Sequence, residues 1–307
     1  MEGAQQPALL QQIGALEFFA RQAVEGFITG LHRSPFHGFS VEFAEHRLYN
    51  AGESTRHIDW KLYARSDKMF VKRFEEETNL RCQLVIDTSA SMYYPGPPQT
   101  SKLRFAVESS AALIELFRRQ RDAVGLSTFG MGIENHAPAK SSRVHQRGLY
   151  HRLDALLAVR PEGAAKGTDA AAALHELAEA IPRRSLVMIF SDCFERSGDL
   201  EALFSALQHL RHAKHEVVVF QIQDAETEVR FDFADRPTTF VDAESGDEIK
   251  LHPAEIRVAY RQAMSEFRQQ LDLRCAQYGI DLVDVDIASG VYTVLSSYLT
   301  KRRRMRA

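Results

Sequence analysis

The sequence predicts an α/β protein built on a mainly parallel sheet that is flanked by helices. From about residue 81 onward, short apolar runs rich in branched residues alternate with longer segments of helical periodicity. The apolar runs are continuous, which is typical of strands that are covered on both faces. We therefore expect ligands to bind at the carboxyl edge of the sheet, where polar residues follow the strands.

Composition narrows the class of protein further. The chain has 307 residues and a formal net charge of −3, which gives no drive toward nucleic acid, and we expect no nucleic-acid partner. Its three cysteines lie far apart, which argues against a disulfide scaffold or a cysteine zinc site and favours the cytoplasm. The longest apolar runs are too short for a transmembrane segment, although a peripheral membrane contact stays open.

The chain divides into three regions. Residues 1–35 are predicted to form an N-terminal amphipathic helix, because apolar residues recur at steps of three and four. Residues 36–80 are denser in aromatic and charged residues and are expected to form a β-rich appendage without helix–strand alternation. Residues 81–307 form the main domain, which contains a β-rich insertion at about 226–252 that is marked by turn residues.

The alternation of the main domain assigns its elements in order. Strands are expected at 82–86, 123–129, 185–190, 216–222 and 280–287, with 131–139 as a hairpin partner of the second. Helices are expected at 102–120, 144–159, 169–181, 200–213, 253–278 and 291–303. Pro253 suits the first turn of its helix, and Gly279 suits the position after its end.

Polar residues follow or precede these elements at the predicted ligand-binding edge. Asp87, Ser89 and Ser91 come directly after the first strand, Thr168 precedes an alanine-rich helix, and Asp192 follows the strand at 185–190. Two carboxylates and three hydroxyls without a thiolate or imidazole suit Mg²⁺ or Mn²⁺ rather than zinc. The alternative interpretation is that these residues are ordinary loop residues and helix caps.

The five residues resemble the metal-ion-dependent adhesion site of von Willebrand factor type A domains. The block upstream is similar to the signature of the DUF58 family, and it comprises Tyr49 to Glu53, Arg56 to Trp60, Ala64 and Arg65, and Val71 to Glu75. The resemblance implies a von Willebrand factor A-like, Rossmann-like domain.

For the site, the resemblance implies that Ser89, Ser91 and Thr168 ligate the metal directly and that Asp87 and Asp192 act mainly through water. A partner's acidic residue would complete the shell. Members of the family are often linked to MoxR-type AAA+ ATPases, so the resemblance also implies an adaptor that helps such a motor act on client proteins.

Three functional hypotheses follow. The first is a non-enzymatic, metal-dependent protein-interaction module, because the site has no evident nucleophile or general base. The second is a Mg²⁺- or Mn²⁺-dependent phosphohydrolase or nuclease that uses Asp87 and Asp192. The third is a structural scaffold with a vestigial ion site. The sequence lacks the glycine-rich loops of nucleotide-binding sites, which argues against ATP hydrolysis by this chain.

A second polar cluster, Arg56, His57, Asp59 and Arg65, lies in the appendage beside Trp60. It is a candidate surface for a partner. The alternative is a structural ion-pair network, since such networks imitate functional sites. The basic run from 301 to 306 also has two interpretations. It could contact an acidic or anionic partner, or it could be a solubilising helix end.

Overall fold

The computed structural model of the protein describes residues 14–30, 43–48, 60–66, 68–74, 80–96, 100–158, 169–193 and 200–305. Two compact units are present. The larger comprises Met1–Pro35 together with Arg81–Ala307, and the smaller comprises Phe36–Leu80.

The described residues form eight α-helices and ten strands. They are, in order, α1 (Ala15–Gly30), β1 (Phe43–Leu48), α2 (Trp60–Ser66), β2 (Phe70–Phe74), β3 (Arg81–Asp87), α3 (Lys102–Gln120), β4 (Ala123–Phe129), β5 (Ile133–Lys140), α4 (Arg143–Ala158), α5 (Ala170–Ala180), β6 (Leu186–Ser191), α6 (Leu200–His212), β7 (Glu216–Gln223), β8 (Thr238–Val241), β9 (Glu248–Leu251), α7 (Pro253–Tyr278), β10 (Asp281–Asp286) and α8 (Val291–Met305).

A six-stranded sheet forms the centre of the larger unit, with strand order β10-β7-β6-β3-β4-β5. Its strands pair in parallel, except that β5 runs antiparallel to β4. The predicted α/β class, with a mainly parallel sheet flanked by helices, is confirmed. The predicted hairpin partner of β4 is confirmed as β5.

The sheet is covered on both faces, as the continuous apolar runs predict. Every residue of β6 is buried, and only the first residue of β3 is exposed. Helices α5, α6 and α7 contribute Leu174, Leu207 and Leu271 to one apolar core with the sheet. Elsewhere, Phe190 and Phe220 stack across neighbouring strands with ring centroids 4.7 Å apart. Helix α1 packs against α3.

The smaller unit contains an antiparallel pair formed by β1 and β2, and the helix α2. Sequence reasoning assigned extended structure and turns here and did not assign the helix α2. The segment WKLYARS is rich in helix-forming residues, and Trp60 and Tyr63 meet edge to face three positions apart. At seven residues it is too short for the apolar periodicity that marks longer helices.

The predicted insertion contains a hairpin formed by β8 and β9, which a π-helical turn at Ala225–Val229 precedes. An aromatic cluster packs the hairpin against α7. Phe231 lies 4.4 Å from Tyr260 and 5.5 Å from Phe240 between ring centroids, and Phe233 meets Phe240 edge to face. The hairpin is therefore anchored at its base.

The last helix is longer than expected. Helix α8 continues to Met305, and Arg302 within the basic run is only 3% exposed. Its guanidinium forms an ion pair of 2.7 Å with Glu216, so this arginine stabilises the packing of α8 on the sheet. Among the described residues, no helix combines the length and the apolar character that crossing a bilayer requires.

Candidate functional site

The order of the strands places the candidate site. The chain runs from β3 through β4 to β5 on one side and then returns to β6 on the other side of β3. This reversal creates a crevice at the carboxyl end of β3, which is where open α/β sheets bind ligands. Asp87 is the last residue of β3, and Asp192 directly follows β6.

Asp87 is held in the crevice by hydrogen bonds from the loop after β3 and from the last residue of β6. The side chain is buried, Oδ1 accepts a bond of 2.9 Å from the backbone N–H of Ser89, and Oδ2 accepts one of 2.6 Å from the Ser191 hydroxyl. The hydroxyls of Ser89 and Ser91 lie 3.0 Å apart. Four of the five predicted site residues, Asp87, Ser89, Ser91 and Asp192, thus lie at or just after the carboxyl ends of β3 and β6, at one edge of the sheet.

Asp192 is fully buried and pairs with a lysine. The ammonium of Lys102 lies 2.8 Å from Asp192 Oδ2 and 2.6 Å from Oε1 of Glu228, and the Lys102 side chain has no exposure to solvent. Sequence reasoning missed both Lys102 and Glu228. A signal was available, because a lysine in the first turn of a helix opposes the helix dipole and calls for another explanation.

Two neighbouring carboxylates of like charge shape the electrostatics of the site. Burial and the charge of Asp192 raise the pKa of Asp87 to about 7, although the hydrogen bonds from Ser89 and Ser191 act to lower it. Burial alone would lower the pKa of Lys102, but the charges of Asp192 and Glu228 raise it above its ordinary value. Among the described residues, the Lys102 ammonium contacts the carboxylates of Asp192 and Glu228, whereas Asp87 accepts hydrogen bonds from Ser89 and Ser191.

The loop that carries the fifth predicted residue is described only in part, since Thr168 lies outside the described residues. Its neighbour Asp169 caps α5 by accepting a hydrogen bond of 2.9 Å from the backbone N–H of Ala172. The Asp169 N–H donates to the carbonyl of Gly130, just beyond the end of β4. Asp169 is therefore at the carboxyl edge of the sheet.

A further carboxylate reaches the site from the insertion. Glu244 lies between β8 and β9, and its Oε1 accepts a hydrogen bond of 3.1 Å from the backbone N–H of Ser91. Nothing in the local sequence signals this contact, because 153 residues separate the two positions. A cavity of about 850 Å³ opens beside it, and its lining includes Ser91, Tyr94, Glu228 and Glu244.

The donor set fits a hard dication. Carboxylate and hydroxyl oxygens are the ligands that Mg²⁺ and Mn²⁺ accept, and a dication would relieve the repulsion between the carboxylates of Asp87 and Asp192. In the part of the chain that the structure describes, no three His, Cys, Asp or Glu side chains are grouped so that they could hold a metal ion. A cation here would therefore depend on the serine hydroxyls as well as on the carboxylates.

The second predicted cluster is mostly outside the described residues, which include neither Arg56, His57 nor Asp59. Arg65 is described, and it lies exposed in the last turn of α2. The cluster stays a prediction.

Comparison with known proteins identifies the family. Residues 45–270 match the family described as "Protein of unknown function DUF58". The chain belongs to the DUF58 family. The predicted resemblance to DUF58 is thus confirmed, whereas the resemblance to a metal-ion-dependent adhesion site stays a prediction. This DUF58 protein is 26% identical over 300 residues to the uncharacterized proteins Rv1480 of Mycobacterium tuberculosis and Mb1516 of Mycobacterium bovis, and each alignment covers 97% of this chain and 91% of the relative.

Solved structures resemble the DUF58 protein more distantly. The conserved hypothetical protein BatB from Bacteroides thetaiotaomicron is 18% identical, with a TM-score of 0.46 over 74% of this chain and all of BatB. The VWA domain of SpRpn10 is 9% identical, with a TM-score of 0.36 over 72% of this chain and 95% of that domain. Because both similarities are weak, the fold assignment depends on the sheet topology described above.

Proposed function

We propose that this DUF58 protein is a divalent-cation-dependent protein-interaction module. In this proposal, Ser89, Ser91 and Thr168 hold Mg²⁺ or Mn²⁺ directly, and Asp87 and Asp192 act mainly through bound water. A carboxylate from a partner protein completes the coordination shell, as a partly satisfied dication attracts an acidic oxygen strongly.

The convergence of buried acidic and hydroxyl oxygens at the switch point of the sheet is the observation that carries the proposal. Asp87 and Asp192 are buried there, close enough for the charge of Asp192 to raise the pKa of Asp87, and the hydroxyls of Ser89 and Ser91 lie 3.0 Å apart on the adjoining loop. Two carboxylates of like charge at one place favour the binding of a cation beside them.

Interaction is better supported than catalysis. Asp87 and Asp192 each have contacts that fix their carboxylates, to Ser89 and Ser191 and to Lys102. Such fixed carboxylates suit the holding of a cation and its bound water. The phosphohydrolase or nuclease hypothesis has no observation of its own in its favour.

The proposed partner is a MoxR-type AAA+ ATPase, for which this protein would act in the cytoplasm as an adaptor in the assembly or remodelling of protein complexes. Membership of DUF58 supports this choice of partner, by the family link described above. The proposed partner surface includes the metal edge, with Arg56, His57, Asp59 and Arg65 as a second candidate surface.

Calorimetric titration of the full chain with Mn²⁺ tests the cation site. We expect binding by the natural protein, loss of binding in Asp87→Asn, and unchanged binding in Asp235→Asn, which removes the charge of an exposed residue. Equal binding by all three proteins, or by none, would overturn the site.

Capture of a purified MoxR-type ATPase tests the function. Capture should require Mg²⁺ and should be lost with EDTA or with Asp87→Asn, whereas capture that is equal in every arm would refute metal dependence. Hydrolysis of a phosphoester or of DNA that requires Mg²⁺ and Asp87 would instead establish the hydrolase.

A further inference from the structure

The turn between β8 and β9 has a defined conformation. The N–H of Asp242 donates to the carbonyl of Asp247, and the N–H of Gly246 donates to the carbonyl of Asp242. The Asp242 carboxylate accepts hydrogen bonds of 2.8 Å from the Glu244 N–H and 2.9 Å from the Ser245 hydroxyl. With the aromatic cluster at the base of the hairpin, these bonds hold Glu244 in a fixed position.

The carboxylate of Glu244 is only half satisfied there. Oε1 accepts the hydrogen bond from Ser91, but Oε2 is buried and has no hydrogen-bond partner among the described residues. A buried, unpaired carboxylate oxygen is costly, since it has lost water without gaining a replacement. Accepting the hydrogen bond from the Ser91 N–H requires only Oε1. That contact therefore does not explain why Oε2 is buried as well.

The position of Glu244 supplies an explanation. Its carboxylate accepts a hydrogen bond from the backbone N–H of Ser91, and the Ser91 hydroxyl lies 3.0 Å from the Ser89 hydroxyl. These are the two hydroxyls to which the proposed function assigns the cation. A carboxylate at this place is the type of ligand that the proposed function otherwise requires from a partner protein.

We propose that Glu244 is an internal ligand of the cation site, which occupies the position of the partner's carboxylate until a partner replaces it. The inference rests on the proposed function and adds a regulation to it. In the chain alone, Glu244 completes the shell of the cation and holds the hairpin at the metal edge. An acidic side chain of a partner competes with Glu244, and the cavity beside Ser91 is its route of approach.

Mn²⁺ alone is a sufficient probe, because the inference concerns the chain without its partner. Glu244→Gln is nearly isosteric and keeps an acceptor for the Ser91 N–H, but it removes the charged ligand. Glu248→Gln is the matched control, since Glu248 is exposed on the same hairpin. Calorimetry gives the affinity, and water-proton relaxation reports the number of water molecules on the bound Mn²⁺.

We expect Glu244→Gln to bind Mn²⁺ at least about tenfold more weakly than the natural protein, a loss typical of disturbed metal sites. The bound Mn²⁺ should carry about one additional water molecule, since water fills a coordination position that loses its protein ligand. Glu248→Gln should match the natural protein in both measurements.

The outcomes separate the two proposals. If the natural protein binds Mn²⁺ in an Asp87-dependent way and Glu244→Gln is unchanged in affinity and relaxation, Glu244 only caps the Ser91 N–H and this inference is wrong. If the natural protein does not bind Mn²⁺, or if Asp87→Asn binds it equally well, the proposed function fails and the inference fails with it.

Discussion

The two ends of α3 each bring a buried ion cluster together, and the two clusters have opposite charge balance. Near the end of the helix, the buried carboxylate of Glu115 accepts hydrogen bonds from Arg118 and Arg119 at 2.6 to 2.8 Å. At its start, Lys102 pairs with two carboxylates, Asp192 and Glu228.

The pKa values of Glu115 and Asp87 are shifted in opposite directions in the two clusters. Burial would raise the pKa of Glu115, but the hydrogen bonds and charges of the two arginines lower it. Burial and the neighbouring Asp192 raise the pKa of Asp87. The Glu115 cluster is complete within the chain and needs no ligand. Among the described residues, the Asp87 cluster instead brings two carboxylates of like charge together, which is more typical of a candidate binding site than of a structural ion-pair network.

The largest expected effect is that of Lys102→Met. The substitution removes the ammonium that contacts the buried carboxylates of Asp192 and Glu228, and breaking a buried pair in this way costs about 3–5 kcal/mol. The free energy of unfolding from urea denaturation measures it, and Mg²⁺ should restore part of the loss. The exposed Lys140→Met is the control. A Lys102→Met protein that is as stable as the natural one would show that the acidic cluster needs no compensating charge.

The second effect is a pH dependence of opposite sign at the two clusters. The pKa of Asp87 is about 7 in the folded protein, and its ordinary value is 3.8. Between these two pH values, Asp87 is protonated in the folded protein and ionised in the unfolded chain. Its contribution to stability is therefore present at low pH and lost as the pH rises from about 4 to about 7. The difference in unfolding free energy between the natural protein and Asp87→Asn, measured without metal, should show this fall.

Glu115 supplies the counterpart. Because its pKa is lowered in the folded protein, its contribution is present above its ordinary value of 4.5 and lost as the pH falls through the folded pKa. The difference between the natural protein and Glu115→Gln should shrink on acidification. The same sign at both clusters would remove the contrast between them.

Glu115→Gln should have a moderate effect at neutral pH. The substitution weakens charged hydrogen bonds that are worth about 2 kcal/mol, and the arginines are partly exposed, so water can replace some of the loss. Unfolding measured with and without Mg²⁺ should give the same difference from the natural protein. On the same helix, Glu108→Gln disrupts only the pair with Arg104 and should cost about 0.5 kcal/mol.

The same contrast shows what the sequence can predict. Asp87, Ser89, Ser91 and Asp192 are predictable because strand periodicity locates β3 and β6, and parallel strands bring their carboxyl ends to one edge. Lys102, Glu228 and Glu244 are not, because each reaches the site from a different element through packing that leaves no local pattern. The helix α2 was missed for a related reason, as a single short helix has too few turns to show periodicity.

Ser89→Ala is expected to have a small effect on stability, and it separates affinity from folding most sharply. The substitution removes the hydrogen bond between the Ser89 and Ser91 hydroxyls, which is worth about 1 kcal/mol. If Ser89 is a metal ligand, Mn²⁺ affinity should nevertheless fall by about tenfold or more. Ser109→Ala is the matched control, because the Ser109 hydroxyl is buried in α3 and has no hydrogen-bond partner among the described residues. Its removal should leave both stability and Mn²⁺ affinity unchanged, whereas full Mn²⁺ affinity in Ser89→Ala would make this serine a loop residue only.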